Sequence, residues 1–270
     1  MSNHPFTGVF AALSTALLLT MAAPLSAAAI GGLEYQGAAR STDSGNLLYE
    51  EHHYLRTENG QPRERLVLYR CPSGEAFARK RVQYGEPPYA PSFRMDDARL
   101  GYAEGFSRGQ ASGEALVQRA AGQPVETDAV SLGESLVVDA GFDEFVRSHW
   151  DELQQGKKVG LRFLVPSRLA AYGFKLQKTG EEALYGEPAS TFRLALSGFF
   201  GWFADAIDVS YRNSDRRLMR FVGLSNIRAS AEENLVADIQ FPPAEQVDSL
   251  ADEAWERAGR EPLVGCQLGQ

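Results

Sequence analysis

The sequence predicts a mainly β protein of the α+β kind: a single large curved antiparallel sheet, or half-barrel, with one or two helices on one side. Three observations predict it. Short segments alternating apolar and polar residues recur along the chain, turn residues fall between them, and only two segments repeat their apolar residues at helical spacing.

The N-terminal segment comes first. Met1 to Gly8 is short and free of acidic side chains, and Val9 to Met21 is apolar or small apart from Ser14, Thr15 and Thr20. Pro24 and then Leu25-Ser26-Ala27-Ala28-Ala29 follow. This is the composition of an export signal removed after Ala28 or Ala29. The run is shorter than the roughly twenty residues of a bilayer-spanning helix. No Lys or Arg precedes it, so the alternative is a buried N-terminal helix. No Cys follows it for lipid attachment, and a soluble product is expected. The expected organisation is a signal peptide at 1–29 and a single β-rich domain at 30–270, ending in a helix and tail from about 243.

Upstream strands are expected at Leu47–Arg56, Arg63–Arg70 and Glu75–Tyr84, separated by the turns Asn59-Gly60 and Pro72-Ser73-Gly74. Their alternation is less apolar, so these strands are expected to lie near an edge or to be more exposed. Leu100–Phe106, Ala115–Arg119 and Val125–Leu132 are weaker strand candidates. Gly85–Ser92, with Pro87, Pro88 and Pro91, is a loop that cannot join a central strand. The second half alternates cleanly. Val159, Leu161, Phe163 and Val165 share one face, as do Tyr172, Phe174 and Leu176, then Phe192, Leu194 and Leu196, then Ile207, Val209 and Tyr211, then Leu235, Ala237, Ile239 and Phe241. Asn213-Ser214-Asp215 and Gly186-Glu187-Pro188 supply turns.

Between the halves, Phe142, Phe145, Val146, His149 or Trp150, and Leu153 form a helical stripe. Asp139 can cap it, Asp143 and Glu144 suit its first turn, and Gly156 suits its end. A second helix begins near Asp248 or Ser249 with Leu250, Ala254, Trp255 and Ala258 on its stripe, and Gly259 ends it. No repeat and no linker long enough to divide domains is visible.

The chain has 35 acidic and 27 basic residues, a net charge of −8. An acidic chain gains nothing from a phosphate backbone or an anionic lipid surface, so nucleic acid is not an expected partner. The basic runs, Arg79-Lys80-Arg81 among them, read as solvated strand faces. Cys71 and Cys266 are the two cysteines. In an oxidising compartment they suffice for one disulfide tying the tail to the turn at Cys71, the alternative being two independent thiols.

Motifs for chemistry are sparse. His52 and His53 are adjacent on a strand and point to opposite faces, so they do not share a metal ion. Glu50 and Tyr54 lie on the face of His52. His149 and Glu152 are three apart on the first helix without a second such pair. Ser73 lacks the glycine of a nucleophile elbow, and Gly156-Lys157 lacks the rest of a P-loop. Glu50-Glu51, Asp96-Asp97, Glu181-Glu182 and Glu232-Glu233 diverge on strands and read as surface charge. No catalytic residue, metal ligand or cofactor is expected. Phe199-Phe200-Gly201-Trp202-Phe203 places four aromatics in five residues: an apolar flap or contact, or a wedge closing the end of the sheet.

An export signal, a long meander of alternating strands, and a helix at Ala140–Gln155 feeding Lys157–Val165 together resemble uncharacterised bacterial envelope proteins grouped with the periplasmic lipoprotein-carrier fold. That resemblance is architectural and covers most of the chain after the signal. It implies an incomplete curved sheet around helices that holds acyl chains. The expected function is then non-enzymatic and periplasmic: a lipid or another apolar ligand held on the concave face by Phe163, Phe174, Phe192, Leu194 and Tyr211, with Trp202 or Phe203 as lid. The alternatives are an envelope assembly or scaffold protein that buries this face, and a carboxylate-dependent hydrolase. After signal removal no integral membrane segment is expected.

Overall fold

The computed structural model describes residues 1–2, 30–133, 135–198 and 206–269. The expected signal segment beyond Ser2 and the expected lid residues Trp202 and Phe203 lie outside the described residues.

The period-two segments become strands of one sheet. β1 (Ile30–Ser41), β2 (Leu47–Glu58), β3 (Gln61–Arg70), β4 (Ala76–Gln83), β5 (Ser92–Asp97), β6 (Tyr102–Arg108), β7 (Ser112–Gln118) and β8 (Glu126–Ser131) form one meander. β9 (Leu136–Val137) leads into helices α1 (Gly141–Ser148) and α2 (Trp150–Gln154). β10 (Val159–Val165), β11 (Ala170–Leu184), β12 (Glu187–Leu196), β13 (Ile207–Arg212), β14 (Leu218–Arg228) and β15 (Asn234–Gln240) form the second meander. β16 (Gln246–Val247) and helix α3 (Asp252–Arg260) follow.

The hydrogen-bonded order is β8-β7-β6-β5-β4-β3-β2-β1-β15-β14-β13-β12-β11-β10-β9, with β16 added to β1. The pair β1–β15 joins the meanders, and β9–β10 is parallel where the other pairs are antiparallel. A 3-10 turn at Pro166–Arg168 lies against β6 and β7, and β11 touches β8. A sheet this wide must curl. Here it curls until its ends approach without pairing, which makes it barrel-like and unclosed.

Strand alternation sorts the side chains. On β2, Tyr49 and Leu55 join the inner core, whereas Tyr54 joins an outer cluster with Leu66 and Leu68 of β3. His53 therefore points inward and His52 outward, as the period of two requires. Asn59 and Gly60 both adopt positive φ, 51° and 76°, in the two-residue hairpin turn between β2 and β3. Tyr185 and Gly186 do the same between β11 and β12, at 54° and 81°.

The helices divide between the two faces. α1 and α2 lie inside, where Phe145, Val146, Trp150 and Leu153 pack on Leu161, Leu176, Phe192, Leu194, Val209 and Tyr211. α3 lies outside on β3, with Ala258 in the cluster of Tyr54, Leu66, Leu68 and Ala76, and with Ala254 and Trp255 against it. It starts at Asp252, after the Asp248 or Ser249 its stripe suggests, and Gly259 lies within its last turn. Its last carbonyls, which have no partner within the helix, accept from Arg79 Nε (Ala258 O, 3.1 Å) and Arg81 (Gly259 O, 2.7 Å).

This outer cover corrects two expectations. β2, β3 and β4 are central in their meander and buried on both faces, so they are not near an edge. Arg79-Lys80-Arg81 is not a solvated run: Arg79 and Lys80 are buried on opposite faces. Of the strands longer than two residues, β1, β5 and β14 are absent from the sequence expectation. β1 carries Gly32, Gly37, Ala38 and Ala39 where a strand pattern asks for larger apolar residues. The structure supplies the reason. A Cβ on Gly37 would fall on the Phe241 ring and one on Gly32 on Leu250. The strand joining the two meanders is thin because bulky neighbours cross it.

Cys71 and Cys266 form a disulfide. It fastens the tail that follows α3, together with backbone bonds from Val264 to Ala76 (2.9 Å) and from Gly269 to Leu48 (3.0 Å). Arg70 donates twice to Glu261, at 2.6 and 2.7 Å, at the start of that tail. In the chain-entropy account a loop of 195 residues limits the gain to about 5 kcal/mol. Replacing both cysteines by serine is expected to lower the midpoint of thermal unfolding under non-reducing conditions, and reductant is expected to lower it for the native chain but not for the variant. Equal midpoints for the two chains without reductant would contradict this.

Candidate functional site

The concave face holds two kinds of surface. On β10 to β13 it is apolar. Phe192 packs edge-on against Trp150 at 5.3 Å and tilts against Tyr211 at 6.1 Å. Phe192, Leu194 and Tyr211 are buried under α1 and α2. Phe163 and Phe174 stand half-buried beside them, 6.1 Å apart and T-shaped, and Phe163 meets Phe142 of α1 the same way at 6.1 Å. The five described residues expected to form the apolar face are therefore brought together, and the helix pair rests on them.

On β2 to β6 the inner face is charged. Glu51, His53, Arg65, Lys80 and Glu104 have the same parity as the apolar core residues of their strands, and all are buried. Burying a charge is costly unless a partner compensates it. His53 Nε2 bonds Glu51 at 2.8 Å, and its ring stacks on Tyr35 at 4.4 Å. Burial pushes the His53 pKa down despite Glu51, so the ring is neutral. Arg65 donates to Asp143 at 3.1 Å, and the Tyr211 hydroxyl donates to the other oxygen of Asp143 at 2.8 Å. Lys80 donates to Asp139 at 3.0 Å. Arg147 bonds Glu144 one turn earlier on α1.

Both strand cations are thus neutralised from α1 and the residue pair before it. Burial works against ionising Asp143, but Arg65, Arg147 and the Tyr211 hydroxyl outweigh it and hold the carboxyl below its usual range. Burial also opposes the charge on Lys80. Asp139, Tyr69 and Glu51 reverse that and raise its pKa. This changes the role of Asp139. Ala140 is the N-cap of α1 and no side chain caps it. Asp139, at φ 41°, turns its carboxylate to Lys80 instead. The expected single helix breaks at His149, whose Nδ1 donates to the Phe145 carbonyl at 2.9 Å.

Glu104 is the exception among the carboxylates. Its chief partner is the Tyr102 hydroxyl, which donates at 2.6 Å. Burial pushes the Glu104 pKa up to about 7, and Tyr102 only moderates it. Beside the ion pairs runs a crevice of about 20 Å³, bordered by Leu33, Tyr35 and Leu55 and by Arg65, Asp143, Arg147 and Arg217. It has room for about one water molecule.

The remaining candidates do not converge. His52 stands 3.8 Å from Glu50 on the outer face, and Glu152 faces Lys157 at 4.0 Å while His149 bonds the Phe145 carbonyl. Among the described residues no group of three or more His, Cys, Asp or Glu could hold a metal ion. No helix among them is long and apolar enough to cross a membrane. The inner charges were missed as site residues because each reads locally as surface charge. The available signal was parity: Arg65 aligns with Val67 and Tyr69, and Lys80 with Ala78 and Val82.

Two expected outcomes follow from these pairs. Asp143→Ala leaves Arg65 buried without its carboxylate and should cost about 3–5 kcal/mol in urea unfolding. Removing Arg65, Asp143 and Tyr211 hydroxyl together, as Arg65→Met, Asp143→Leu and Tyr211→Phe, should bring stability back to within about 2 kcal/mol of the native chain. A triple variant as weak as the single one would contradict the pairing. For Glu104, the folded carboxyl keeps its proton up to about pH 7, whereas the unfolded one loses it near 4.5. Between these values the native state binds more protons, so its contribution to stability is full below 4.5 and lost as pH rises to about 7. Glu104→Gln should abolish that decline. The stability difference between variant and native chain, measured by urea unfolding at a series of pH values, should grow across this window and level off above it.

No protein-family model matches the chain, and no curated protein matches it. Among solved structures the fold is similar to the crystal structure of a beta-barrel-like protein of a domain of unknown function, DUF1849, from Brucella abortus. The two are 7% identical, the match covers 82% of this chain and 98% of that one, and the TM-score is 0.43.

Proposed function

We propose that the protein is a non-enzymatic, exported protein of the bacterial periplasm that holds a lipid or another apolar ligand on its concave face. One observation carries this reading. The apolar wall of Leu176, Phe192, Leu194 and Tyr211 is covered by two short helices, of eight and five residues, and not by another sheet layer. Those helices present Phe145, Trp150 and Leu153 to it, the same chemistry an acyl chain would bring. The half-buried row Phe142, Phe163 and Phe174 marks where the apolar surface continues toward the rim. The crevice beside α1 takes no acyl chain, so a ligand displaces α1 and α2 from the wall. Export agrees with the composition of residues 1–29 and with the disulfide, which persists in an oxidising compartment.

The small crevice favours a second reading, an envelope assembly or scaffold protein whose interior is a filled core. Native mass spectrometry of the purified protein, followed by uptake of a fluorescent fatty acid after delipidation, separates the two. The expected result is a bound lipid mass, or saturable uptake of about one acyl chain per protein. Empty protein with no uptake, together with a co-purifying protein partner, would leave the scaffold reading.

A further inference from the structure

The geometry points to an anionic amphiphile as the ligand, its acyl chain on the β10–β13 wall and its carboxylate or phosphate head on Arg65 and Lys80. This rests on the ligand reading above and adds the head-group chemistry to it. Lys80 pairs with Val67, two residues along β3 from Arg65. The two cations are thus diagonal neighbours on the inner face, a geometry that sets residue positions about 7–8 Å apart and their Cβ atoms somewhat closer. Within hydrogen-bonding distance their carboxylate partners are Asp143 and Asp139, both at the start of α1. The segment that covers the apolar wall is also the segment that neutralises these cations. Residues 139–153 thereby join two acidic groups to a row of aromatic and aliphatic side chains, which is the composition of an anionic amphiphile held in cis.

Displacing α1 removes Asp139, Asp143 and Glu144 from the interior and takes Arg147 with them. The strand groups then facing Arg65 and Lys80 are His53 with Glu51, Tyr35, Tyr69, Tyr84, Tyr211, and Glu104 with Tyr102. His53 is neutral and brings Glu51 no compensating charge, while Glu104 holds its proton up to about pH 7, so the two cations face the single carboxylate of Glu51 and the wall has an excess of positive charge. Arg65 also keeps its Nε–H buried without a hydrogen-bond partner in the closed state, a donor beyond the one Asp143 uses. A neutral ligand would leave that excess positive charge uncompensated in a low-dielectric interior, whereas a single anionic head would take the place of the departing carboxylates.

The test compares ligands of equal chain length on the delipidated full chain, by calorimetry: palmitate, hexadecyl phosphate and neutral monopalmitoylglycerol. The expected result is that at least one anionic ligand binds about tenfold or more tightly than the neutral one. Palmitate against hexadecyl phosphate tells a carboxylate head from a phosphate. The triple variant Arg65→Met, Asp143→Leu, Tyr211→Phe should weaken that anionic preference by about threefold or more, because Lys80 alone is left to receive the head. Equal binding of neutral and anionic ligands to the native chain would overturn the head-group inference and leave the ligand reading standing. An undiminished anionic preference in the triple variant would overturn the assignment to Arg65. If none of the three binds, both the inference and the reading beneath it fall.

Discussion

The carboxylate of Asp143 is the contact on which the interior depends. It accepts from Arg65 on β3 and from Tyr211 on β13, strands that lie in different meanders of the sheet. One buried side chain on α1 therefore links the two halves across the concave face. The link is ionic in a place where water is scarce. Its strength depends on geometry and on the hydrogen bonds that complete it, and its loss leaves a bare guanidinium inside the protein. Apolar packing holds α1 and α2 to β10–β13, while charge pairing holds α1 to β3 and β4. The helix pair is thus bound by different physics on its two sides.

That asymmetry explains the uneven look of the two meanders. The second meander meets apolar helix faces and its inner side chains are aliphatic or aromatic. The first meander meets the acidic start of α1, and its inner face accordingly carries Arg65 and Lys80. Outside, α3 and the disulfide-fastened tail cover Tyr54, Leu66 and Leu68, so β2 and β3 need apolar residues on that side as well. Strands enclosed on both faces lose the clean alternation expected of a half-buried sheet, although Arg65 and Lys80 keep the parity of their inward neighbours.

Much of the fold was legible in the sequence because it is local. The second-meander strands other than β14, the Asn59-Gly60 hairpin and the position of the first helix follow from periodicity and turn chemistry, whereas the two cysteines by themselves left a disulfide and two independent thiols both open. β1 was not legible. Its Gly32 and Gly37 read as weak strand formers until Leu250 and Phe241, more than two hundred residues away in sequence, are seen to cross them. Arg65, Lys80, Asp139 and Asp143 were not legible as one cluster for the same reason. Each looks like surface charge or a helix-end residue when read beside its chain neighbours.

By itself the sequence determined which side chains share a face, since the period of a strand or helix is a property of the backbone and needs no partner. Only the tertiary structure decided what each face meets. The curl of the sheet turns one face into an interior, the chain crossing between the meanders places α1 inside it, and long-range pairing converts scattered charges into compensated ones. Periodicity acts over a few residues, whereas burial and charge neutralisation are set by neighbours that the chain brings from far along its length.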